Sequence, residues 1–241
     1  MPTQAPKTSR ELAPGVHHIP TTPYDVVNSY VIADDDGSLT LIDAGLRWAP
    51  RRLLAGLAGL GKRPQDVTRI VLTHAHADHA GGVARMRDES GARVIVHERD
   101  AAYVEGGRTP PTGNRLTNSH VLLRISGSFP PAPVAHSVTD GELLPIAGGL
   151  RVLHTPGHTP GHVSLLHEPT GVLITGDSIW NVRGLRWPLK AFCTDFGLSQ
   201  QTADRLGEAD FEVAAFTHGS PVRTQARETV RRFLREARRV S

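Results

Sequence analysis

Three histidines and an aspartate fall within six residues of the segment RIVLTHAHADHAGG: His74, His76, Asp78 and His79. Imidazole nitrogen and carboxylate oxygen are the usual ligands of zinc and related divalent ions. His74 and His76 stand two apart on extended chain leaving an apolar run, so both side chains can point to one side. Asp78 and His79 follow where the backbone turns toward a helix, facing a second position close by. An exposed polar loop with incidental histidines is the competing reading, and four such residues in six weigh against it in a chain with 13 histidines. Three further candidates lie downstream. In LHTPGHTPGH (153–162) the turn at Pro156-Gly157 presents His158, LITGDS (173–178) reaches Asp177, and AAFTHGSP (214–221) reaches His218. Each lies at or just beyond a strand end, where side chains from different strands can converge.

The elements that must position these groups alternate in the first half of the chain. SYVIA (29–33) and LTLIDAG (39–45) read as strands parted by an acidic turn, and leucines at 53, 54, 57 and 60 mark a helix from about 49 to 60. TRIVLT (68–73) is the buried strand that delivers the histidine cluster. VARMRDES (83–90) reads as a helix, ARVIVH (92–97) as a strand and 98–105 as a short helix. Residues 106–136 are proline-rich without a sustained period, and read as a long loop with one short helix around 118–125. Strands follow at 150–155, 162–168 and 171–177, then an irregular segment at 179–197, a helix near 199–207, a strand at 212–218 and a terminal helix. No internal repeat or clean linker divides the chain, so the expected organisation is a flexible lead over residues 1–13 and one domain over 14–241.

Composition bounds the function. The chain has 241 residues, 39% of them hydrophobic and 21% charged, which reads as an ordinary globular protein. No apolar run approaches the length of a membrane span. Cys193 stands alone, which excludes an intramolecular disulfide framework; with no apolar leader stretch at the N-terminus, this gives an expected cytoplasmic location. The net charge of +3 is uneven: residues 221–240 carry +5 and the remainder −2. A nucleic-acid enzyme is expected to gather positive charge around its site. Here it sits on one terminal segment whose apolar residues space as a helix face, so a solvated arginine face is expected. The segment leaves an anionic partner or a homodimer contact open.

HAHADH, then His158, Asp177 and His218 in order, with LIDAG at 41–45 ahead of them, resemble the metallo-β-lactamase-fold superfamily over roughly residues 14 to 240. The resemblance implies an α/β fold: a four-layer αβ/βα sandwich of two mixed β-sheets flanked by helices, with metals at one edge. It implies two divalent ions, zinc foremost with iron or manganese as alternatives. His74, His76 and His158 would bind one, Asp78, His79 and His218 the other, and Asp177 would bridge them. Asp43 would orient a ligand through a ring N–H. His154, His162 and His97 are expected to play structural or supporting parts, and Cys193 to be a buried, inert thiol.

Two ions sharing a water would make it a hydroxide nucleophile near neutral pH, with catalytic Asp78 orienting it. The chain has no competing Gly-x-Ser-x-Gly elbow. Hydrolysis of a small-molecule ester, lactone or thioester is therefore expected. The doubled TPGH resembles the glyoxalase-II-like branch, whereas the position three after Asp177, a tyrosine in acyl-homoserine lactonases, is Trp180 here. The alternatives are a mononuclear iron sulfur dioxygenase of the same fold and a phosphodiesterase or nuclease, the last disfavoured by the charge distribution. The pocket walls are expected from 106–136 and 179–197. The latter offers Trp180, Trp187 and Phe192 beside Arg183, Arg186 and Lys190, suited to an apolar substrate bearing a negative group.

Overall fold

The strands flanking the motif are apolar on both faces, and such strands need cover on both sides. A computed structural model describes residues 8–113 and 127–238 and shows how that cover is arranged. The first sheet contains β1 (Arg10–Ala13), β2 (Val16–Pro20), β3 (Asn28–Ala33), β4 (Leu39–Ile42), β5 (Val67–Val71), β6 (Arg93–His97) and β7 (Val134–Val138), paired in that order. Pairing is antiparallel up to β4 and parallel from β4 to β7. The parallel crossovers carry α1 (Pro50–Gly59), α2 (Ala77–Ala80), α3 (Val83–Ser90) and α4 (Glu98–Glu105).

The second sheet runs β14-β11-β10-β9-β8, from β8 (Leu143–Leu144), β9 (Leu150–His154), β10 (Val163–His167), β11 (Val172–Ile174) and β14 (Val213–Ala215). Only the β11–β14 pair in it is parallel. A separate ribbon pairs β12 (Trp180–Asn181) with β13 (Leu185–Arg186), and α5 (Phe196–Glu208) and α6 (Ala226–Arg238) complete the described elements.

Side-chain alternation sorts the core into three clusters. Leu53, Leu57, Met86 and Val104 from α1, α3 and α4 pack on Leu41, Ile70 and Val94 of the first sheet. Between the sheets, Ile32, Ile42 and Ile95 meet Val152, Leu165 and Ile174. On the far side, Leu166 and Leu173 meet Leu206 of α5 and Val230 and Leu234 of α6. Leu165 thus faces inward and its neighbour Leu166 outward, as strand pleating requires. The result is a four-layer αβ/βα sandwich of two mixed sheets flanked by helices, and each fully buried leucine contributes about 1.5–3 kcal/mol to holding the layers together. No described helix is long and apolar enough to cross a membrane.

Several segments differ from expectation. Arg10–Ala13, within the supposed flexible lead, is an edge strand, because β2 offers its antiparallel ladder. Val134–Val138 forms β7 at the end of the expected loop 106–136, with three exposed residues and no apolar alternation to mark it. The segment 179–197 is partly ordered as the β12–β13 ribbon. The expected short helix at 118–125 lies outside the described residues. The arginine face of α6 is tied to its own chain: Arg227 pairs with Asp210 at 2.6 Å and Arg235 with Glu228 at 2.7 Å.

Candidate metal centre

Five chain segments bring their polar residues to one end of the sandwich. Extended chain after β5 carries His74 and His76, α2 turns Asp78 and His79 toward the same point, and His158 comes from the β9–β10 connection. Asp177 follows β11 and His218 follows β14, the two parallel neighbours of the second sheet. The two glycines closing the motif let this happen. A Cβ on Gly81 would lie 2.6 Å from the Arg47 amide nitrogen, and one on Gly82 would lie 2.3 Å from the Ala44 carbonyl oxygen. The loop after β4 crosses α2 there, and it is this loop that carries Asp43.

The nitrogens that meet are arranged in a way hydrogen bonding alone does not explain. His74 Nε2 is 3.1 Å from His76 Nδ1, which is 2.9 Å from His158 Nε2. His79 Nε2 is 3.3 Å from His218 Nε2. Most of these rings have their outer nitrogen engaged elsewhere. His79 Nδ1 lies 2.9 Å from Asp43 Oδ2, and His218 Nδ1 donates to the Val26 carbonyl at 2.6 Å. His74 Nδ1 lies 3.0 Å from Thr73 Oγ1, whose own proton goes to Asp43 Oδ2 at 2.8 Å. His158 Nδ1 faces Cys193 Sγ at 3.4 Å. An N–H held outward leaves the inward nitrogen a bare lone pair. Converging lone pairs repel unless a cation sits among them. Three groups of these atoms are close enough to hold a metal ion: His74, His76 and His158; His74, His79 and Asp177; and Asp78, His79 and His218. Asp43 serves two of the histidines at once, His79 directly and His74 through Thr73.

Burial and charge act in opposite directions across the cluster. His74 and His76 are held well below the ordinary imidazole range, first by burial and then by neighbouring histidines. Burial also opposes charge on His79, but Asp78, Asp177 and Asp43 outweigh it and push its pKa up to about 9. His218 is raised well above its ordinary value in the same way, burial being overcome by Asp177 and Asp78. Asp177 is held well below its usual range despite burial, by His218, His79 and His158. So much buried carboxylate draws in either protons or a metal cation. The donor set, imidazoles with two carboxylates, fits a divalent ion.

Two supporting residues hold the loops, and only one of them stands out in the sequence. His162 Nε2 accepts the Asp177 backbone N–H at 2.7 Å, and its Nδ1 lies 3.0 Å from the Thr155 carbonyl oxygen. Burial, followed by His158, lowers its pKa to about 3, so it stays a neutral acceptor. A Cβ on Gly176 would meet that ring at 2.5 Å, which, with a φ of +55°, explains the glycine in LITGD. Asp100, on the first turn of α4, is the one that sequence reasoning misses. Its Oδ2 accepts from Ala75 N at 2.9 Å and Thr159 Oγ1 at 2.7 Å, and its Oδ1 accepts from Gly161 N at 2.7 Å. It therefore pins the chain between His74 and His76 to the chain beside His158. Nothing in the spacing of HERDAAY marks it, because its partners are two backbone amides and a hydroxyl from distant segments.

Of the other histidines, His97 stacks on His154 at 4.0 Å, and His154 Nε2 donates to the Pro160 carbonyl at 3.0 Å. Cys193 is buried, and burial, then Asp177 and Asp195, push its thiol up to about 12; its contact with His158 is something only the folded chain reveals.

A cavity of about 600 Å³ opens over the cluster, reached by His76, Asp78, His158, Asp177 and His218. Its walls are mainly apolar, with Val26, Leu46, Val182, Leu189 and Phe192, and Trp180 lies 4.4 Å from the His218 ring. Trp187 is a correction. It is not among the residues lining the cavity, but packs on Phe233 of α6 with ring centroids 4.8 Å apart. Trp187→Ala is therefore expected to cost about 2 kcal/mol of stability through lost apolar burial. Urea unfolding should show the drop, and KM should move by less than about twofold relative to wild type, against the kinetic role expected of a wall residue.

The sequence model described as the metallo-beta-lactamase superfamily matches residues 22–218. A probable metallo-hydrolase, YflN of Bacillus subtilis (strain 168), is 27% identical over 235 residues, covering 88% of this chain and 86% of its own. A hydroxyacylglutathione hydrolase of Cereibacter sphaeroides is 33% identical over 123 residues, covering 51% of this chain and 38% of that protein. The crystal structure of a metallo-beta-lactamase family protein from Thermus thermophilus superposes with a TM-score of 0.71 at 30% identity, covering 95% of this chain and 81% of that one. With a match spanning most of its length and metallo-hydrolases among its relatives, the chain belongs to the metallo-beta-lactamase superfamily.

Proposed function

We propose that this protein is a hydrolase holding two divalent ions, most simply zinc, that cleaves a small-molecule ester, lactone or thioester within a single domain that takes in the Arg10–Ala13 edge strand. His74, His76 and His158 would hold one ion, Asp78, His79 and His218 the other, and Asp177 would contact both. The observation that carries this reading is the set of inward-facing ring nitrogens whose outer nitrogens are already engaged by Asp43, Thr73, Val26 and Cys193. Bound divalent ions would supply an acidified water and polarise the scissile carbonyl.

The chain's own residues do the rest. The Asp78 side chain is 35% exposed and lines the cavity, so its carboxylate can orient the attacking water. Asp177 has one oxygen committed to the Thr217 hydroxyl at 2.7 Å and its backbone N–H to His162, which fixes the carboxylate before substrate arrives. The apolar walls keep bulk water from the reacting bond and suit an acyl chain or ring. The relative named a hydroxyacylglutathione hydrolase supports an acylated substrate.

Metal quantification on the purified protein, followed by a panel of lactones, thioesters, aryl esters and phosphodiesters, tests the proposal. Two zinc per chain and turnover of a carboxylic ester, lactone or thioester are expected. Dialysis against a chelator should remove at least about 95% of that turnover and added zinc should restore it, as deprotonated ligands bind metal reversibly. A single iron per chain with no hydrolysis would point instead to a sulfur dioxygenase. Phosphodiester cleavage alone would overturn the carbonyl substrate.

A further inference from the structure

We propose that the substrate carries a carboxylate, separated from the scissile carbonyl by an apolar segment, and that Arg186 binds this anion. This rests on the hydrolase reading above and adds to it a substrate class and a recognition residue.

The placement of Arg186 comes from strand pairing. Trp180 and Arg186 are directly opposite partners across the antiparallel β12–β13 ribbon. Side chains so paired stand on the same face of the ribbon with neighbouring Cβ atoms. Both residues line the cavity, and the Trp180 ring reaches His218 at 4.4 Å. His218, Trp180 and Arg186 therefore form a row running from the candidate metal centre, across an indole, to a guanidinium.

Charge makes this row directional. Among the described lining residues, and apart from the histidines, three carry ionisable groups: Asp78 and Asp177, both at the metal centre, and Arg186 at the other end of the row. Other arginines of the fold have carboxylate partners, among them Arg10 with Asp25, Arg69 with Asp34 and Arg205 with Asp140. The Arg186 side chain has no hydrogen bond or ion pair among the described residues. The remaining residues, 1–7, 114–126 and 239–241, contain no Asp or Glu that could take that place. Arg183 and Lys190, the other cations of this segment, are not part of the cavity lining.

A guanidinium offers a planar fork of donors that matches a carboxylate, and it is weakly hydrated enough to sit beside apolar surface. With Trp180, Leu189 and Phe192 forming the apolar stretch, the wall fits an acyl chain that begins at the reacting carbonyl and ends in a carboxylate.

A matched pair of substrates reads this contact: mono-4-nitrophenyl adipate, whose acyl chain ends in a carboxylate, and neutral 4-nitrophenyl hexanoate. Wild-type holoenzyme is expected to show a KM about tenfold lower for the adipate ester, in line with a charge-assisted hydrogen bond at a partly exposed site. In Arg186→Gln that preference should vanish through KM, and Arg186→Lys should recover part of it. No preference in wild type, or a preference retained in Arg186→Gln, overturns the assignment. If wild type cleaves neither ester, the hydrolase reading is what suffers, and calorimetry then decides the Arg186 contact. Tighter binding of 6-phenylhexanoate than of 6-phenylhexan-1-ol, lost in Arg186→Gln, sustains it; equal binding of the two, or a difference unaffected by the substitution, refutes it.

Discussion

His74→Ala is expected to lower kcat/KM for any hydrolysed substrate by at least about a thousandfold, equivalent to about 4 kcal/mol of transition-state stabilisation. The size of the effect follows from where the ring sits. His74 has no exposed surface and belongs to two of the three groups able to hold a metal ion. Its Nε2 faces His76, its ring lies 4.1 Å from that of His79, and its Nδ1 continues through Thr73 to Asp43. Truncation removes a donor from the first group and unties the chain that holds Asp43 against both halves of the cluster. Bound metal, measured by mass spectrometry of metals, should fall by at least one ion per chain alongside activity. Wild-type turnover in a variant that had lost its bound metal would remove metal from the mechanism altogether.

The sequence is most informative about this cluster where a residue type coincides with the end of an apolar strand. His74, His76, Asp177 and His218 all follow buried runs that have to be strands, and strand ends on one side of a sandwich necessarily approach each other. His158 is visible because prolines and glycines force a turn around it. What stays hidden depends on contacts rather than pattern. Trp187 and Trp180 lie seven residues apart in a segment without periodicity, so nothing in their spacing says that one ring faces the cavity and the other α6. β7 escapes because its exposed outer residues mask the alternation that marks a strand. β1 escapes because an edge strand needs only a neighbour's free ladder, not an apolar sequence of its own. Cys193 reads as a small apolar residue, and only folding puts its sulfur against His158.

Asp100→Asn is the second change with a large expected effect, and it tests whether a residue outside the cluster sets the geometry inside it. The carboxylate accepts three hydrogen bonds, from Ala75, Thr159 and Gly161, and is fully buried. Burial pushes its pKa up, while those same three donors act against the rise by favouring the charged form. An amide of the same shape has one acceptor oxygen, so its NH2 must face the amide of either Ala75 or Gly161. Whichever way it turns, one buried donor loses its partner, at a cost of about 1–3 kcal/mol. The loosened loop is the one bearing His74 and His76 in the first case and the one bearing His158 in the second. Zinc affinity, measured by competition with a chromophoric chelator, should weaken by about 10–100-fold, the usual consequence of losing a group that orients ligands. Hydrogen exchange on the metal-free protein gives an independent reading, with the Ala75 or Gly161 amide losing protection before the β5 and β10 amides do. Thr159→Ala removes only one of the three bonds and should give a smaller shift in the same direction, which keeps the comparison usable if Asp100→Asn folds poorly. Faster exchange at these amides with unchanged zinc affinity would mean that the loops can move without disturbing the candidate ligands, and Asp100 would then matter to the fold alone.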